Sequence, residues 1–435
     1  MAAFLLKHAT VITPFPAKIE QQDLRIADGK IVEKAHGLEG RDGETVLDLS
    51  GKLLMPGMVC GHTHCYSALA RGMPGPAEPP ANFPEILEKV WWRLDRALDA
   101  ETIYSSTVVG VLDALASGTT TIIDHHASPN CIPGSLRMMK DVFEDFGVRG
   151  ILCYEVTDRG GWERRDQGIA ENRWLLEHQS DLVKGLVGAH AAFTLSDESL
   201  RLCAELMRAF ECGLHMHLAE GVCDGEISRQ RHGKGLVERL RALGVCTPQS
   251  LLIHGVHLTA DEIRQIEDLG CWLVHNPRSN MNNGVGYAPI GQFGARVALG
   301  TDGITANMFE EAKFLYFKAQ DAGVGVGAEE CLRFLAGGFG IAREVFGQPF
   351  GVFESGAAAD LIVLDYPAPT ALHEENLAWH LIFGMTHAHV ESVMVKGKFL
   401  VQERRFVDCD VAALYRYAQR SAVRLWERMH SVEDA

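Results

Sequence analysis

No apolar stretch approaches the roughly 20 residues that a membrane-spanning helix requires, so the chain is not expected to cross a bilayer. Its opening, MAAFLLKHATVITPF, has neither a sustained apolar segment nor a small-residue cleavage site, and the expected location is the cytoplasm. Basic residues are in deficit, with 41 Lys and Arg against 57 Asp and Glu and a formal charge of −16. A nucleic-acid backbone is held by clustered Lys and Arg, which makes it a poor partner here. The 11 cysteines show no paired or closely spaced pattern. That removes a disulfide framework and a cysteine metal site, and suits a reducing compartment where thiols act as small apolar residues. Internal repeats, low-complexity tracts and flexible linkers are also missing. What remains is 47% hydrophobic and 23% charged over 435 residues, the composition of a globular protein long enough for a barrel of about 250–300 residues and a smaller unit beside it.

The strongest positive signal is LLMPGMVCGHTH, an apolar run that stops at His62 and His64. On a strand, residues i and i+2 point to the same side, so both rings can meet one ion. Alone the pair is weak, because 19 histidines produce such spacings by chance. Further along, however, strand-length apolar runs repeatedly end in an ionisable residue: TTTIID at His125, GILCY at Glu155, GLVGA at His190, LHM at His217 with Glu220 following, LLI at His254, WLV at His275 and VALGT at Asp302. Between them lie segments with apolar residues at helical spacing, such as ETIYSSTVVGVLDALASG and ADEIRQIEDLG, several closing on Gly. Eight strand ends, each followed by a helical stretch, predict an α/β fold, a (β/α)8 TIM-type barrel with its chemistry at the carboxyl ends of the strands.

The chain does not begin with that barrel. Residues 1–55 read as short strands, with Asp28-Gly29 placed as in a hairpin turn. From residue 352 the same style returns in AADLIVLDY and ESVMVKGKFL, before a closing helical stretch. The expectation is a small β-sandwich-like domain built from residues 1–55 and 352–435, flanking a barrel over 56–351.

The set HTH at 62–64, HLAE at 217–220, HGVHL at 254–258, HNPRSN at 275–280 and LGTDG at 299–303 resembles the amidohydrolase superfamily. It is most similar to the branch holding guanine, cytosine and adenosine-type deaminases and the triazine hydrolases. More narrowly, YSALARGMP, EILEKVWWRLDRALD and DHHASPN resemble SsnA-type aminohydrolases. The resemblance covers nearly the whole chain. It implies that His62, His64, His217 and Asp302 bind one divalent metal, Zn²⁺ first and Fe²⁺ as the alternative, leaving a position for water. A metal can bring the pKa of water from 15.7 to about 7, so a metal-bound hydroxide is the implied nucleophile. Glu220 is implied as proton shuttle, His254 as hydrogen-bond partner of the nucleophile, and Asp302 as acceptor of its proton. The two-metal arrangement of the superfamily needs a lysine at the end of the fourth barrel strand. Lys184 lies at the start of that strand, so one metal is expected.

Substrate contacts are expected from His190 and His275 by the same resemblance. His125 and Glu155, at the ends of the second and third strands, are taken as lining the pocket, with packing as the equal alternative. Residues 65–100 are too many for a tight connection and too apolar for disorder, and are read as a lid that brings Trp92 and Arg71 to the ligand. His215 is read as a buried hydrogen-bonding residue one layer down, and His387 and His389 as surface or interface residues. The function implied is deamination of a purine, pyrimidine, pterin or triazine-type ring by a metal-dependent hydrolase acting on C–N bonds. Its alternatives are hydrolytic dehalogenation, cyclic amide hydrolysis on a similar ring, and a non-catalytic scaffold that has kept the barrel. A small heterocycle is the expected partner, with the chain assembled as a homo-oligomer.

Overall fold

The computed structural model describes residues 3–432. Its first strand, β1 (Ala3–Thr13), folds back on β2 (Lys18–Ala27), which pairs in turn with β3 (Lys30–Ala35). Asp28 and Gly29 between them have φ of 51° and 77°, the left-handed pair that matches the twist of a two-residue hairpin. The other edge of β1 receives β4 (Glu44–Asp48) and β5 (Leu53–Pro56) in parallel.

The chain then enters the barrel. Its strands are β6 (Met58–Thr63), β7 (Thr119–His126), β8 (Arg149–Tyr154), β9 (Val183–Gly185), β10 (Val187–Ala191), β11 (Leu214–Leu218), β12 (Leu251–His254), β13 (Trp272–His275) and β14 (Val297–Leu299). All neighbours run parallel in two sheets, β6 to β9 and β10 to β14. Parallel bridges Val156–Ala189 and Thr63–Asp302 join the sheets at both seams. β9 and β10 are one strand interrupted at Leu186, so the strand positions number eight, with helices such as Ala100–Ala116 and Asp197–Phe210 between them. Two of these helices start where the sequence places a capping box, Asp99 with Thr102 and Thr259 with Glu262, each satisfying otherwise orphaned amides.

Side-chain alternation along the strands sorts the core. Val59, Ile123, Ile151, Ile253, Val274 and Ala298 form one cluster that fills the barrel, while their neighbours Cys60, Ile122, Leu152, Leu252, Leu273 and Val297 pack with the helices. Gly300 is required where β14 closes on β6, since a Cβ there would lie 2.7 Å from His62 Cβ and 2.4 Å from Asn276 Oδ1.

After the barrel, β15 (Leu361–Leu364) pairs antiparallel with β5 and is followed by β16 (Val390–Val395), β17 (Lys398–Gln402) and β18 (Arg405–Phe406). Both chain ends thus share one nine-stranded sheet. The helix Val411–Ser431 returns to the barrel, where Trp426 Nε1 donates to the Leu69 carbonyl at 2.9 Å and Arg428 Nε to the Ala97 carbonyl at 2.7 Å. No helix among the described residues is long and apolar enough to cross a membrane.

One buried ion pair fastens the sheet to the barrel. Arg149 on β8 donates Nε to Asp360 Oδ2 at 2.5 Å and Nη2 to Oδ1 at 3.2 Å. Its guanidinium lies over the Phe346 and Phe350 rings at 5.1 and 5.0 Å. Removing one partner strands the other charge away from water. Arg149→Ala is expected to cost about 3–5 kcal/mol in chemical denaturation, and a loss below about 1 kcal/mol would contradict this role.

Candidate metal centre and active site

Inward alternation carries upward from the apolar layer to a layer of imidazoles. His215 and His217 share the inner face of β11, His125 follows Ile123, and Glu155 and His190 continue β8 and β10. At the top, His64 Nε2 lies 2.9 Å and His62 Nε2 3.4 Å from Asp302 Oδ1, and His217 Nε2 is 3.3 Å from His64 Nε2. Atoms of His62, His217, His254 and Asp302 fall within 4.8 Å of one another. The four ligands that the sequence nominates are therefore together, with His254 beside them.

The other ring nitrogen of each histidine is engaged. His62 Nδ1 contacts His215 Nε2 at 2.8 Å, His64 Nδ1 donates to the His125 carbonyl at 2.5 Å, and His217 Nδ1 to the His190 carbonyl at 3.0 Å. The two carbonyl contacts put the proton on Nδ1 of His64 and His217 and leave Nε2 of the neutral ring with a free lone pair, the usual outer support of a metal-bound imidazole, while between His62 and His215 either nitrogen can be the donor. His62 Nε2 and His254 Nε2 are buried without a hydrogen-bond partner. Orphaned nitrogens converging with a carboxylate fit a borderline divalent cation.

Electrostatics agree. Burial, reinforced by neighbouring imidazoles, holds His215 and His217 well below the ordinary histidine range, so they are neutral donors of electron pairs. For His64 burial works the other way from its partners, and the hydrogen bond and charge of Asp302 outweigh it, raising the imidazole to about 9. Asp302 is likewise opposed by burial, yet the imidazoles of His62 and His64 beside it hold the carboxyl well below the usual range. Glu220 goes the opposite way: burial, then the charge of Asp302, pushes it well above the ordinary value. Two carboxyls at one site are thus pushed in opposite directions, Asp302 toward the ionised form and Glu220 toward the protonated one. Ala219, His254 and Asp302 have φ of 49°, 76° and 54°, left-handed backbone of the kind that collects at functional sites.

The segment after β13 supplies residues that sequence reasoning missed. The short helix Pro277–Asn282 brings Asn276, Ser279, Asn280 and Asn283 to one face. Ser279 Oγ donates to Asp302 Oδ2, His254 Nδ1 donates to Asn280 Oδ1 at 2.8 Å, and Asn283 Nδ2 donates to Glu220 Oε1 at 3.3 Å. The spacing 276, 279, 280, 283 is a helical stripe, a signal legible in NPRSNMNN. Arg278 is occupied structurally, bonded to Glu311 and Glu310.

Above the cluster is a cavity of about 50 Å³ lined by His64, His217, Glu220 and Asp302, together with Trp92, Glu155 and His190. A neighbouring cavity of about 280 Å³ shares Trp91 with it and includes Arg71. Trp91 and Trp92 therefore both face cavities. Arg71 pairs with Asp113 and reaches Thr305 Oγ1 at 3.3 Å. Two expected substrate contacts line neither cavity. His275 follows the inward-facing Val274, so its ring points outward, against Tyr287 and Phe293, and Asn276 takes the inward place. His125 lies beneath the floor, with Nε2 3.1 Å from the carbonyls of Ala189 and His215. Lys184 is part of β9, two strand positions below Leu186. His387 bonds with Asn307 and His389 with Thr386, both apart from the site.

The amidohydrolase family model matches residues 53–400. The chain belongs to the amidohydrolase family. It is 29% identical to a 5′-deoxyadenosine deaminase of Methanosarcina mazei over 99% of this chain and 100% of that one. Among solved structures it is similar to an adenosine deaminase of Xanthomonas campestris with bound zinc (TM-score 0.85, 23% identity, 99% of each chain). An atrazine chlorohydrolase of Arthrobacter aurescens complexed with zinc gives a TM-score of 0.81 at 21% identity, over 96% of this chain and 100% of that one. The amidohydrolase fold is thus common to this chain and these neighbours, and the protein is a hydrolase of this family.

His215 touches His62 and not the ion position, so it acts on the metal through orientation alone. His215→Phe is expected to weaken divalent-metal affinity about 10–100-fold, read by competition with a chromophoric chelator. Unchanged affinity would show that His62 needs no such support.

Proposed function

We propose that this amidohydrolase deaminates an aminated N-heterocycle, using one divalent ion held by His62, His64, His217 and Asp302. Zn²⁺ is the first candidate and Fe²⁺ the second, since both accept three imidazoles and a carboxylate. The observation that carries the reading is the buried Glu220 lining the cavity beside His64, His217 and Asp302, where burial and then the charge of Asp302 favour its protonated form. The ion, when bound, supplies the Lewis acidity that makes water a nucleophile at neutral pH.

The chain's own groups do the rest. Glu220 gives its proton to the ring nitrogen next to the amino-bearing carbon as a water oxygen bonds to that carbon. Asp302 accepts the proton lost by the water. His254, whose Nε2 lies 3.4 Å from Glu220 Oε2 and 3.9 Å from Asp302 Oδ2, donates no proton and orients the attacking oxygen. The C–N bond then breaks as the amino nitrogen takes the proton held by Asp302 and departs as ammonia, while the proton of the newly bound hydroxyl passes to Glu220, so that the ring keeps the oxygen as a carbonyl and both carboxyls return to their starting states. Asn283 and Asn280 hold Glu220 and His254 in register. Of the substrates named for relatives, a 5′-modified adenosine is the first to try here. Dehalogenation is supported less well, because chloride leaves without a proton, so that only the ring nitrogen and not the leaving group would call on the carboxyls. The same reading takes the protein as a cytoplasmic homo-oligomer, with its barrel bounded near residues 56 and 351.

Ammonia release across aminated purines, pyrimidines, pterins and triazines tests the proposal with metal-loaded protein. Glu220→Gln is expected to keep stoichiometric metal and lose at least about a thousandfold in kcat, within the usual range for a positioned acid and base. Silence across the panel, with hydrolysis of a halide or cyclic amide instead, would reject deamination.

A further inference from the structure

Two neighbouring elements are apolar on both of their faces. The helix Met308–Asp321 turns Phe309, Ala312, Leu315 and Ala319 into the core and leaves Phe314 and Phe317 outside. The helical segment 377–384, LAWHLIFG, buries Leu377, Leu381 and Ile382 while Trp379 and Phe383 face out. A surface helix ordinarily carries one apolar stripe, and one that is apolar all round belongs to an interior. The outward rings join into one plate. Trp379 stacks on Phe383 with centroids 6.0 Å apart, and Tyr316 meets Phe317, Trp379 and Phe383 edge-on at 5.6, 5.8 and 5.7 Å. Phe314 continues the plate one turn back along its helix from Phe317.

Area and charge point to what covers it. Phe314, Phe317, Trp379 and Phe383 are 42, 46, 46 and 58% exposed. At roughly 150–250 Å² for a whole aromatic side chain, that leaves about 400 Å² of ring surface open. A stable dimer buries about 800 Å² on each partner, a little over half of it apolar, so the plate supplies nearly the whole apolar share of one such face. The charges bordering it cancel, Glu310 and Asp321 against Lys313 and Lys318, and segment 377–384 has no Asp, Glu, Lys or Arg. Two copies of a chain with net charge −16 meet at a neutral face without the repulsion of their overall charge, whereas a nucleic acid, an anionic lipid surface or a charged peptide finds no field there to draw it. We propose that this aromatic plate is the contact by which two copies of the chain pair about a twofold axis, each plate lying on its counterpart. A twofold contact uses the same patch on both partners, and offset and edge-to-face rings pack against their own kind. The pairing rests on the homo-oligomer of the reading above, gives it a surface, and is independent of which bond the active site hydrolyses.

Light scattering and sedimentation velocity on the full-length protein, from nanomolar to micromolar concentration, test it. The wild type is expected at twice its chain mass of 47.8 kDa, or an even multiple of it. Phe317→Glu and Phe383→Glu each set a charge in the middle of the contact and are expected to raise the dissociation constant at least about thirtyfold, the loss typical of a central interface residue, with the circular dichroism of the folded barrel retained. Should a variant fail to fold, a second measurement decides: p-benzoylphenylalanine in place of Phe383, in a mixture of isotopically labelled and unlabelled copies, is expected to cross-link on irradiation to the other copy within 308–321 or 377–384. A wild type that is monomeric at every concentration overturns the pairing and the homo-oligomer together. An oligomer whose mass both folded variants leave unchanged, or whose cross-links between copies land only outside these two elements, overturns this surface while the homo-oligomer stands.

Discussion

Three imidazole Nε2 atoms and a carboxylate oxygen crowd into one buried space at the mouth of the barrel, and everything near them is arranged to make that tolerable. Bringing basic nitrogens together away from water is unfavourable if all are charged, so the interior must keep His62 and His217 uncharged and every ring aimed. It does so through the far side of each ring: His215 behind His62, the His125 carbonyl behind His64, the His190 carbonyl behind His217. Asp302 then supplies the compensating negative charge. Burial, and then that charge, disfavour a second ionised carboxylate and push Glu220 toward its protonated form. Ligand set and proton donor are thus two consequences of one electrostatic arrangement.

The same constraint reaches into the backbone. His254 and Asp302 meet the cluster only because their strands end in left-handed residues that swing the side chains inward. β6 departs from regular register between Cys60 and Thr63, which turns His62 and His64 toward the axis. The roof depends on a remote part of the chain, since the helix Val411–Ser431 grips the segment carrying Trp91 and Trp92 at Leu69 and Ala97. Cavity shape and terminal helix are in this way mechanically linked.

Much of this was legible in the sequence, for a definite physical reason. Barrel strands are short apolar runs with the site at their carboxyl ends, so His62, His64, His217, His254 and Asp302 are candidates by position, and the family resemblance singles them out. The hairpin at Asp28-Gly29 was equally readable, because few residues adopt left-handed backbone. What failed was parity. His275 sits at a strand end like the others, but the inward residue there is Asn276, and one residue of register exchanges inside for outside. His125 has the right parity and the wrong height. Ser279, Asn280 and Asn283 were overlooked although their helical spacing was on view.

X-ray absorption spectroscopy of the zinc-loaded protein tests the central arrangement most directly. The account predicts a shell of about three imidazole nitrogens at about 2.0–2.1 Å with oxygen completing it, and loss of one imidazole in His64→Ala. Sulfur scattering, or an imidazole count indifferent to His64, would contradict it.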